Sequence, residues 1–516
     1  MAEALARIQH FDWIAHHAAA GGDRLALVEL ATGRRYTYAA LNERVARLAS
    51  HLRQVGGVRA GDRVAALALN CAALVELMFA CSRIGAVYLP LNWRLTVAEL
   101  SYILQDAEPA LLAIDEDNAV KGVALQDQGF TGQLLHLPGQ DPRAYERLLA
   151  DAKPEARHAT VHHDDVQMLM YTSGTTGFPK AALITYGMVF WNAINVGLPA
   201  LVSPEARLLA VMPMFHTGGL NLFANPVFHA GGSVALMRSF NAGTMLAALS
   251  DPDLAITHTF AVPTAYQAMM QHSSFADVDL SRLRFVCVGG AATPPHVLEK
   301  WAARGVPLAN GYGMTETSPA VTLLLPRDAL RKRGSVGRPL LHTQIRIVDA
   351  SGRDVPVGEP GELWVRGPNV TPGYWRNEKA SADAFADGWL KTGDIVRRDA
   401  DGFCYVIDRA KDLYISGGEN VYPAEVEQVI SQLAGVAESA VIGIPDERWG
   451  ETGIAFVSFE PGIVLEEALV IEHCAAHLAR FKVPRRILFV DSLPRTSTGK
   501  IHKPTLRQRL DPGGTG

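Results

Sequence analysis

Short apolar runs alternate with longer amphipathic segments through most of the chain. "DRVAALALN" predicts a buried strand, and the "CAALVELMFACSRIG" after it has the apolar spacing of a helix. "RLLAVMPM" and "SVALMRSF" follow the same buried-strand pattern, while "LRFVCVGGAATP" runs from a strand into a glycine turn. Strands that alternate with helices predict α/β architecture with largely parallel sheets. The most apolar stretch, residues 64–91, is interrupted by Asn70, Glu76 and Arg83. It therefore predicts strand, buried helix and strand rather than a membrane span.

The texture changes near Gly334. "TQIRIVDASGRDVPVGEPGELWVRG" (343–367) alternates polar and apolar positions between turn signals, which predicts a small β-subdomain. Beyond "DRAKD" (408–412) the order becomes helix, strand, strand, helix, enough to close a small α+β core. The expected division is a large N-terminal domain of parallel-rich α/β sheets plus the β-subdomain (1–409), and a small α+β C-terminal domain (410–516).

Composition narrows the class. With 516 residues, 48% of them hydrophobic and 20% charged, the chain suits a large enzyme with a substantial core. A formal charge of -5 gives no electrostatic reason to expect nucleic acid. One basic run, "LRKRG" (330–334), is either a phosphate contact or a solvated loop. The five cysteines, Cys71, Cys81, Cys287, Cys404 and Cys474, show no C-x-x-C spacing. This argues against a disulfide framework or a zinc site and fits a reducing, cytoplasmic setting. The start, "MAEALARIQHFDW", lacks the basic-then-apolar pattern of a signal peptide.

Chemistry enters with "YTSGTTGFPKAA" (171–182), where hydroxyl side chains and glycines precede a single lysine. Hydroxyls and bare backbone N–H groups suit anionic oxygens, and the lysine adds a point charge. The spacing of Gly174, Gly177 and Lys180 is not that of the common G-x-x-x-x-G-K-[ST] loop. The segment is thus either another polyphosphate cradle or a polar turn. Four further motifs follow: "NGYGMTET" (310–317), "WLKTGD" (389–394), "DRAKDLYISGGENVYPAEVE" (408–427) and "PRTSTGK" (494–500). With these five motifs in order, nearly the whole chain resembles the adenylate-forming superfamily of acyl- and aryl-CoA synthetases, carrier-protein adenylation domains and luciferases.

That resemblance implies a carboxylate–CoA ligase that uses ATP and Mg2+, forms an acyl-adenylate and pyrophosphate, and then transfers the acyl group to CoA. It implies that Thr172, Ser173, Gly174, Thr175, Thr176, Gly177 and Lys180 hold the β- and γ-phosphates. It makes Glu316 the magnesium ligand, Thr315 a contact to the α-phosphate, and Tyr312, beside Gly311, the surface against adenine. Asp394 matches the ribose-hydroxyl acceptor and Arg409 a second ribose or phosphate contact. Lys500 matches the lysine that offsets repulsion between carboxylate and α-phosphate. The C-terminal domain is implied to be mobile, with Lys411 at the hinge, and Gly417 and Gly418 beside a tunnel for the pantetheine thiol.

Trp449 in "PDERWGE" and Phe481 in "ARFKVPR" resemble the aromatic pair that brackets the CoA nucleotide in aryl-CoA ligases; as bare residues they fit a core equally well. The resemblance also implies which segments line the acyl pocket: 212–228, 260–270, 288–294 and the glycines of "NGYG". None contains Lys or Arg, which disfavours a second carboxylate on the acid. Gly289, Gly290, Ala291 and Ala292 leave room, Met214, Phe215 and Met269 supply apolar walls, and Asn310 and Gly313 are also implied to line the pocket. An apolar monocarboxylate, aryl, alicyclic or medium-chain, is the expected substrate. His216 matches an aromatic gate position, or is a core histidine. The i,i+4 pair His158 and His162 is either a metal pair or part of a polar connector. Two alternatives stay open: a carrier protein as acceptor, and a non-catalytic nucleotide- or acyl-binding member. Partners are small molecules only, and monomer and homodimer are both compatible.

Overall fold

The computed structural model describes residues 7–139, 142–155, 157–172, 179–290, 293, 295–409, 414–421, 423–459, 462–463, 465–494, 501 and 503–510. The chain packs as two compact units. The first comprises Met1–Trp93, Leu104–Met170 and Ala181–Asp408; the second comprises Arg94–Ile103, Tyr171–Lys180 and Arg409–Gly516. The second unit thus begins at Arg409 but also takes in two short segments from earlier in the chain, which contiguous domains do not anticipate.

In the first unit the described residues build α/β sheets. A six-stranded sheet has the order Gln133–His136, Leu111–Ile114, Arg63–Leu67, Val87–Pro90, Val166–Thr172, Lys180–Thr185. Its first five strands pair in parallel. A nine-stranded sheet is parallel through its middle, from Leu25–Glu29 by way of Ser233–Leu236, Arg207–Ala210, His258–Ala261 and Phe285–Gly289 to Ala309–Gly313. It turns antiparallel at both edges. Helices join these strands, as parallel pairing requires. The alternating segment after Gly334 forms the separate five-stranded sheet built around Gln344–Val348, Gly361–Arg366 and Trp389–Arg398.

The apolar stretch 64–91 folds as strand Arg63–Leu67, helix Ala72–Ile84 and strand Val87–Pro90. The helix is buried almost all round. Its two charges are neutralised inside the first unit. Glu76 accepts from Arg44 Nε at 2.5 Å and from the Tyr145 hydroxyl at 2.7 Å. Arg83 donates to Asp12 at 2.7 and 2.8 Å. Pairing of this kind is what permits ionised groups in an apolar helix.

The second unit carries the sheet Glu419–Val421, Tyr414–Ser416, Gly450–Phe459, Val436–Asp446, with Arg486–Phe489 added parallel to Gly450–Phe459. Helices Pro423–Ser431 and Glu467–His477 pack beside it. A buried lysine, Lys482, ties Arg94–Ile103 into this unit. Its Nζ donates to Glu99 at 2.7 Å and to Glu425 at 2.6 Å. Arg94 pairs with Glu419 in the same unit.

Candidate active site

In the first unit, strand Ala309–Gly313 leads into a single turn of 3-10 helix, Thr315–Thr317. The chain doubles back so tightly that a Cβ on Gly313 would lie 1.8 Å from the Pro319 carbonyl oxygen. Glycine is required there by the chain itself. The turn leaves Glu316 buried, with its carboxylate accepting from the Tyr374 hydroxyl at 2.9 Å. Its backbone carbonyl accepts from Thr371 N at 2.8 Å, so both ends of the residue are held. Thr315 precedes it, half-buried.

Tyr312, in the strand that precedes this turn, donates its hydroxyl to Asp394 Oδ2 at 2.5 Å. Asp394 lies in strand Trp389–Arg398, not in a free turn. The pairing of that strand shifts register between Glu362 and Trp364, and Gly393 there has φ +74°. A bulge of this kind re-aims a side chain. The carboxylate is nearly buried, and Thr392 Oγ accepts from the Asp394 backbone N–H at 3.1 Å. Two hydrogen-bonded pairs, Tyr312–Asp394 and Tyr374–Glu316, are thus anchored within the short segment 312–316 of the first unit, with Thr315 between them along the chain.

The expected pocket residues divide. Gly289 pairs with Gly311, and a Cβ on Gly289 would stand 3.0 Å from the Gly311 carbonyl oxygen and 3.4 Å from Phe260. A Cβ on Gly290 would touch only Val262, at 3.6 Å. The Asn310 amide donates to the Ser335 carbonyl at 3.0 Å, a bond that anchors a neighbouring loop. His216 caps the short helix Thr217–Leu220 and is half-buried, its ring 4.6 Å from that of Phe215. Phe215 in turn meets Trp93 edge-on at 6.4 Å, a ring that no motif singled out.

In the second unit, Thr172 Oγ1 donates to the Lys180 carbonyl at 3.3 Å. Ser173, Gly174, Thr175, Thr176 and Gly177 lie outside the described residues, as do Ala291, Lys411 and Lys500. Arg409 closes strand Cys404–Arg409. Gly417 and Gly418 form the two-residue turn between Tyr414–Ser416 and Glu419–Val421, with φ of +60° and +81°. Positive φ at both positions is the requirement of a type I′ hairpin. Trp449 lies against this turn: its carbonyl accepts from Gly417 N at 2.7 Å, and a Cβ on Gly417 would fall 2.6 Å from its indole. The indole is half-exposed, with the Arg448 guanidinium 5.4 Å from its centre. Phe481 differs. It is only 6% exposed, in the turn whose next residue, Lys482, is drawn inward by Glu99 and Glu425.

Over residues 14–375 the chain matches the family described as AMP-binding enzyme, and over 425–500 the AMP-binding enzyme C-terminal domain. The chain belongs to the AMP-binding enzyme family. Among its relatives, the feruloyl-CoA synthase of an Amycolatopsis species is 42% identical over 93% of this chain and 94% of its own. The indoleacetate–CoA ligase of Aromatoleum aromaticum is 39% identical over 96% and 97%. Among solved structures, the o-succinylbenzoate CoA synthetase of Bacillus subtilis, a double mutant bound to a product analogue, superposes with a TM-score of 0.88. It is 31% identical, covering 97% of this chain and 99% of its own. The protein is an AMP-forming acid–thiol ligase, an acyl-CoA synthetase that works with ATP, Mg2+ and CoA.

Magnesium suits the residues present: Glu316 offers a hard carboxylate oxygen, fixed in place by Tyr374, which is the donor type this cation selects. The other candidate chemistry is absorbed by structure. Arg331, Lys332 and Arg333 of the basic run pair with Asp328, Asp399, Asp401 and Glu299. His158 and His162 each face a separate aspartate, Asp12 and Asp165, at 3.5 Å. All five cysteines are buried free thiols, and burial pushes the Cys287 and Cys71 pKa values up to about 12. Among the described residues no helix is long and apolar enough to cross a membrane.

Proposed function

We propose that the enzyme activates an aromatic monocarboxylic acid of the arylpropenoate or arylacetate type and transfers it to CoA. The observation that carries this reading is the ring cluster Trp93–Phe215–His216 beside acyl-pocket segments that hold no Lys or Arg. Flat rings stack on such a cluster, and a second carboxylate finds no counter-charge there. Support also comes from the two relatives named for ferulate and indoleacetate, both aromatic monocarboxylates.

In the first half-reaction a carboxylate oxygen of the acid attacks the α-phosphorus of ATP. The bond to the bridging oxygen breaks, and pyrophosphate leaves. Thr172 and Lys180, with Ser173, Gly174, Thr175, Thr176 and Gly177, hold the departing phosphates. Thr315 contacts the α-phosphate, and Asp394, already fixed by Tyr312, accepts from a ribose hydroxyl. Arg409 adds a second contact to the nucleotide. Bound magnesium supplies charge neutralisation on the phosphates, and Glu316 is the residue that would hold it. Lys500 bridges the carboxylate and the α-phosphate, offsetting the repulsion of two anions. In the second half-reaction the CoA thiolate attacks the acyl carbonyl, AMP leaves, and the thiol proton passes to solvent. Gly417 and Gly418 border the thiol's path, Trp449 supplies the stacking face for the CoA nucleotide, and Lys411 is the hinge between the two half-reactions.

The test is pyrophosphate release across fatty, alicyclic, benzoic, cinnamic and arylacetic acids, with and without CoA. A preference for cinnamic or arylacetic acids, accelerated by CoA, is the expected result. A preference for fatty acids would overturn the substrate assignment, and release indifferent to CoA would overturn the acceptor. Lys500→Ala should abolish release yet leave thioester formation from supplied acyl-adenylate largely intact; equal loss of both would remove its assigned role.

A further inference from the structure

A concave site lies in the first unit, at the other end of the six-stranded sheet from the ligand-binding edge usual for such sheets. It is a cavity of about 510 Å3 lined by Arg53, Arg59, Arg157 and His158 together with small and apolar residues, among them Val58 and Ile84. The lining contains no Asp or Glu. Residues 57–60 lead into strand Arg63–Leu67, Ile84 leads into Val87–Pro90, and residues 157–159 lead towards Val166–Thr172. These three strands run parallel, so the cavity sits at their amino ends. Ligands of open α/β sheets bind at the carboxyl ends, and a strand of seven residues spans roughly 20 Å. This is therefore not part of the adenylation site.

The backbone around it is held, while the Arg59 and Arg157 side chains are exposed. Val58 N donates to the Leu52 carbonyl at 2.9 Å, Gly61 N to Gly85 at 2.8 Å, and Ala159 N to Arg83 at 2.8 Å. The nearby carboxylates are already committed. Glu155 accepts from Arg53 Nη1 at 3.0 Å through one oxygen and from the Arg157 backbone N–H at 3.0 Å through the other. Asp62 accepts from the Arg59 backbone N–H at 2.8 Å, and Asp12 is held by Arg83. The guanidinium groups of Arg59 and Arg157 have no side-chain partner among the described residues. Of the charges lining the cavity, Arg53 is balanced by Glu155; Arg59 and Arg157 are not.

We propose that this cavity binds a small anion carrying a phosphate group, with Arg59 and Arg157 as its ligands and Val58 and Ile84 as the apolar floor. Two unbalanced guanidinium forks match the charge and the planar donor geometry that phosphate recognition uses. The volume lies within the range of small-molecule sites. The phosphate has two possible sources, an inorganic phosphate or an organic phosphate whose apolar body rests on the floor.

Isothermal titration of the full-length protein with phenyl phosphate and with inorganic phosphate tests this, comparing wild type with Arg59→Gln/Arg157→Gln. The double variant should make acyl-CoA at the wild-type rate, which shows that it folds. It should bind the phosphate probe at least about tenfold more weakly, the loss expected when a charge-assisted hydrogen bond is removed. Ala60→Glu, which places a carboxylate on the wall, should give the same loss. Tighter binding of phenyl phosphate than of inorganic phosphate assigns the organic source, and equal binding assigns the inorganic one. Wild-type binding that survives in both variants, or no wild-type binding at millimolar probe, overturns the proposal.

Discussion

Replacing Tyr374 by Phe removes one oxygen and leaves the ring in its buried place. That oxygen donates to the Glu316 carboxylate at 2.9 Å, and both residues are buried, with exposures of 7% and 5%. A hydrogen bond to a charged group contributes about 1.5–3 kcal/mol, and its loss leaves a buried carboxylate oxygen short of a donor. If Glu316 holds magnesium on the phosphates, much of this loss falls on adenylation, since a loosened carboxylate must be ordered again in each transition state. At about 1.4 kcal/mol per tenfold, kcat/KM for pyrophosphate release should fall by roughly 10- to 100-fold. The magnesium concentration for half-maximal rate should rise with it. Thioester formation from supplied acyl-adenylate needs no departing pyrophosphate and should stay within about twofold. The assay is release rate against magnesium for wild type and Tyr374→Phe, with a urea midpoint for each to record any loss of stability. An unchanged magnesium dependence, or equal loss in both half-reactions, would refute the argument and leave Tyr374 as a packing residue.

His216→Ala should alter the ratio of kcat/KM between cinnamic and benzoic acids by about tenfold or more while KM for ATP holds; a fall in stability alone would return the residue to the core. Gly417→Ala forces an L-residue to φ +60° and a methyl against the Trp449 indole, at a cost of about 1–2 kcal/mol before any clash. KM for CoA should rise several-fold with adenylation unchanged, and equal effects on both steps would refute the assignment. Burial lowers the His10 pKa from its ordinary 6.5 to about 4, against the rings of Tyr186 and Trp13. The unfolded chain then binds the extra proton first, so this contribution is complete above pH 6.5 and is lost as pH falls towards 4. From pH 7 to pH 5 the loss is about 2 kcal/mol. Urea midpoints at the two pH values should converge in His10→Phe; the same drop as in wild type would contradict this.

Much of this protein was legible along the chain because its signals are local. A buried strand declares itself in consecutive apolar residues, as in "DRVAALALN", and the alternating texture after Gly334 marks a separate antiparallel sheet. The motifs are also contiguous, since a loop that cradles phosphate must bring its hydroxyls and backbone N–H groups from neighbouring residues. What the tertiary structure alone decided is which distant groups meet. Tyr374 reaches Glu316 across 58 residues and Tyr312 reaches Asp394 across 82, with no local pattern to announce either pair. Gly313, expected to line the acyl pocket, is glycine because the Pro319 carbonyl occupies the place of its Cβ. Phe481, expected as an open stacking face, is drawn into the core by the ion pairs of its neighbour Lys482. Glu99, one of those partners, lies 383 residues away in the segment Arg94–Ile103. Hydrophobic period and turn chemistry are properties of adjacent residues and survive in the linear chain. Hydrogen bonds and ion pairs between remote residues exist only once the fold has closed the intervening loops, so only the folded chain reveals them.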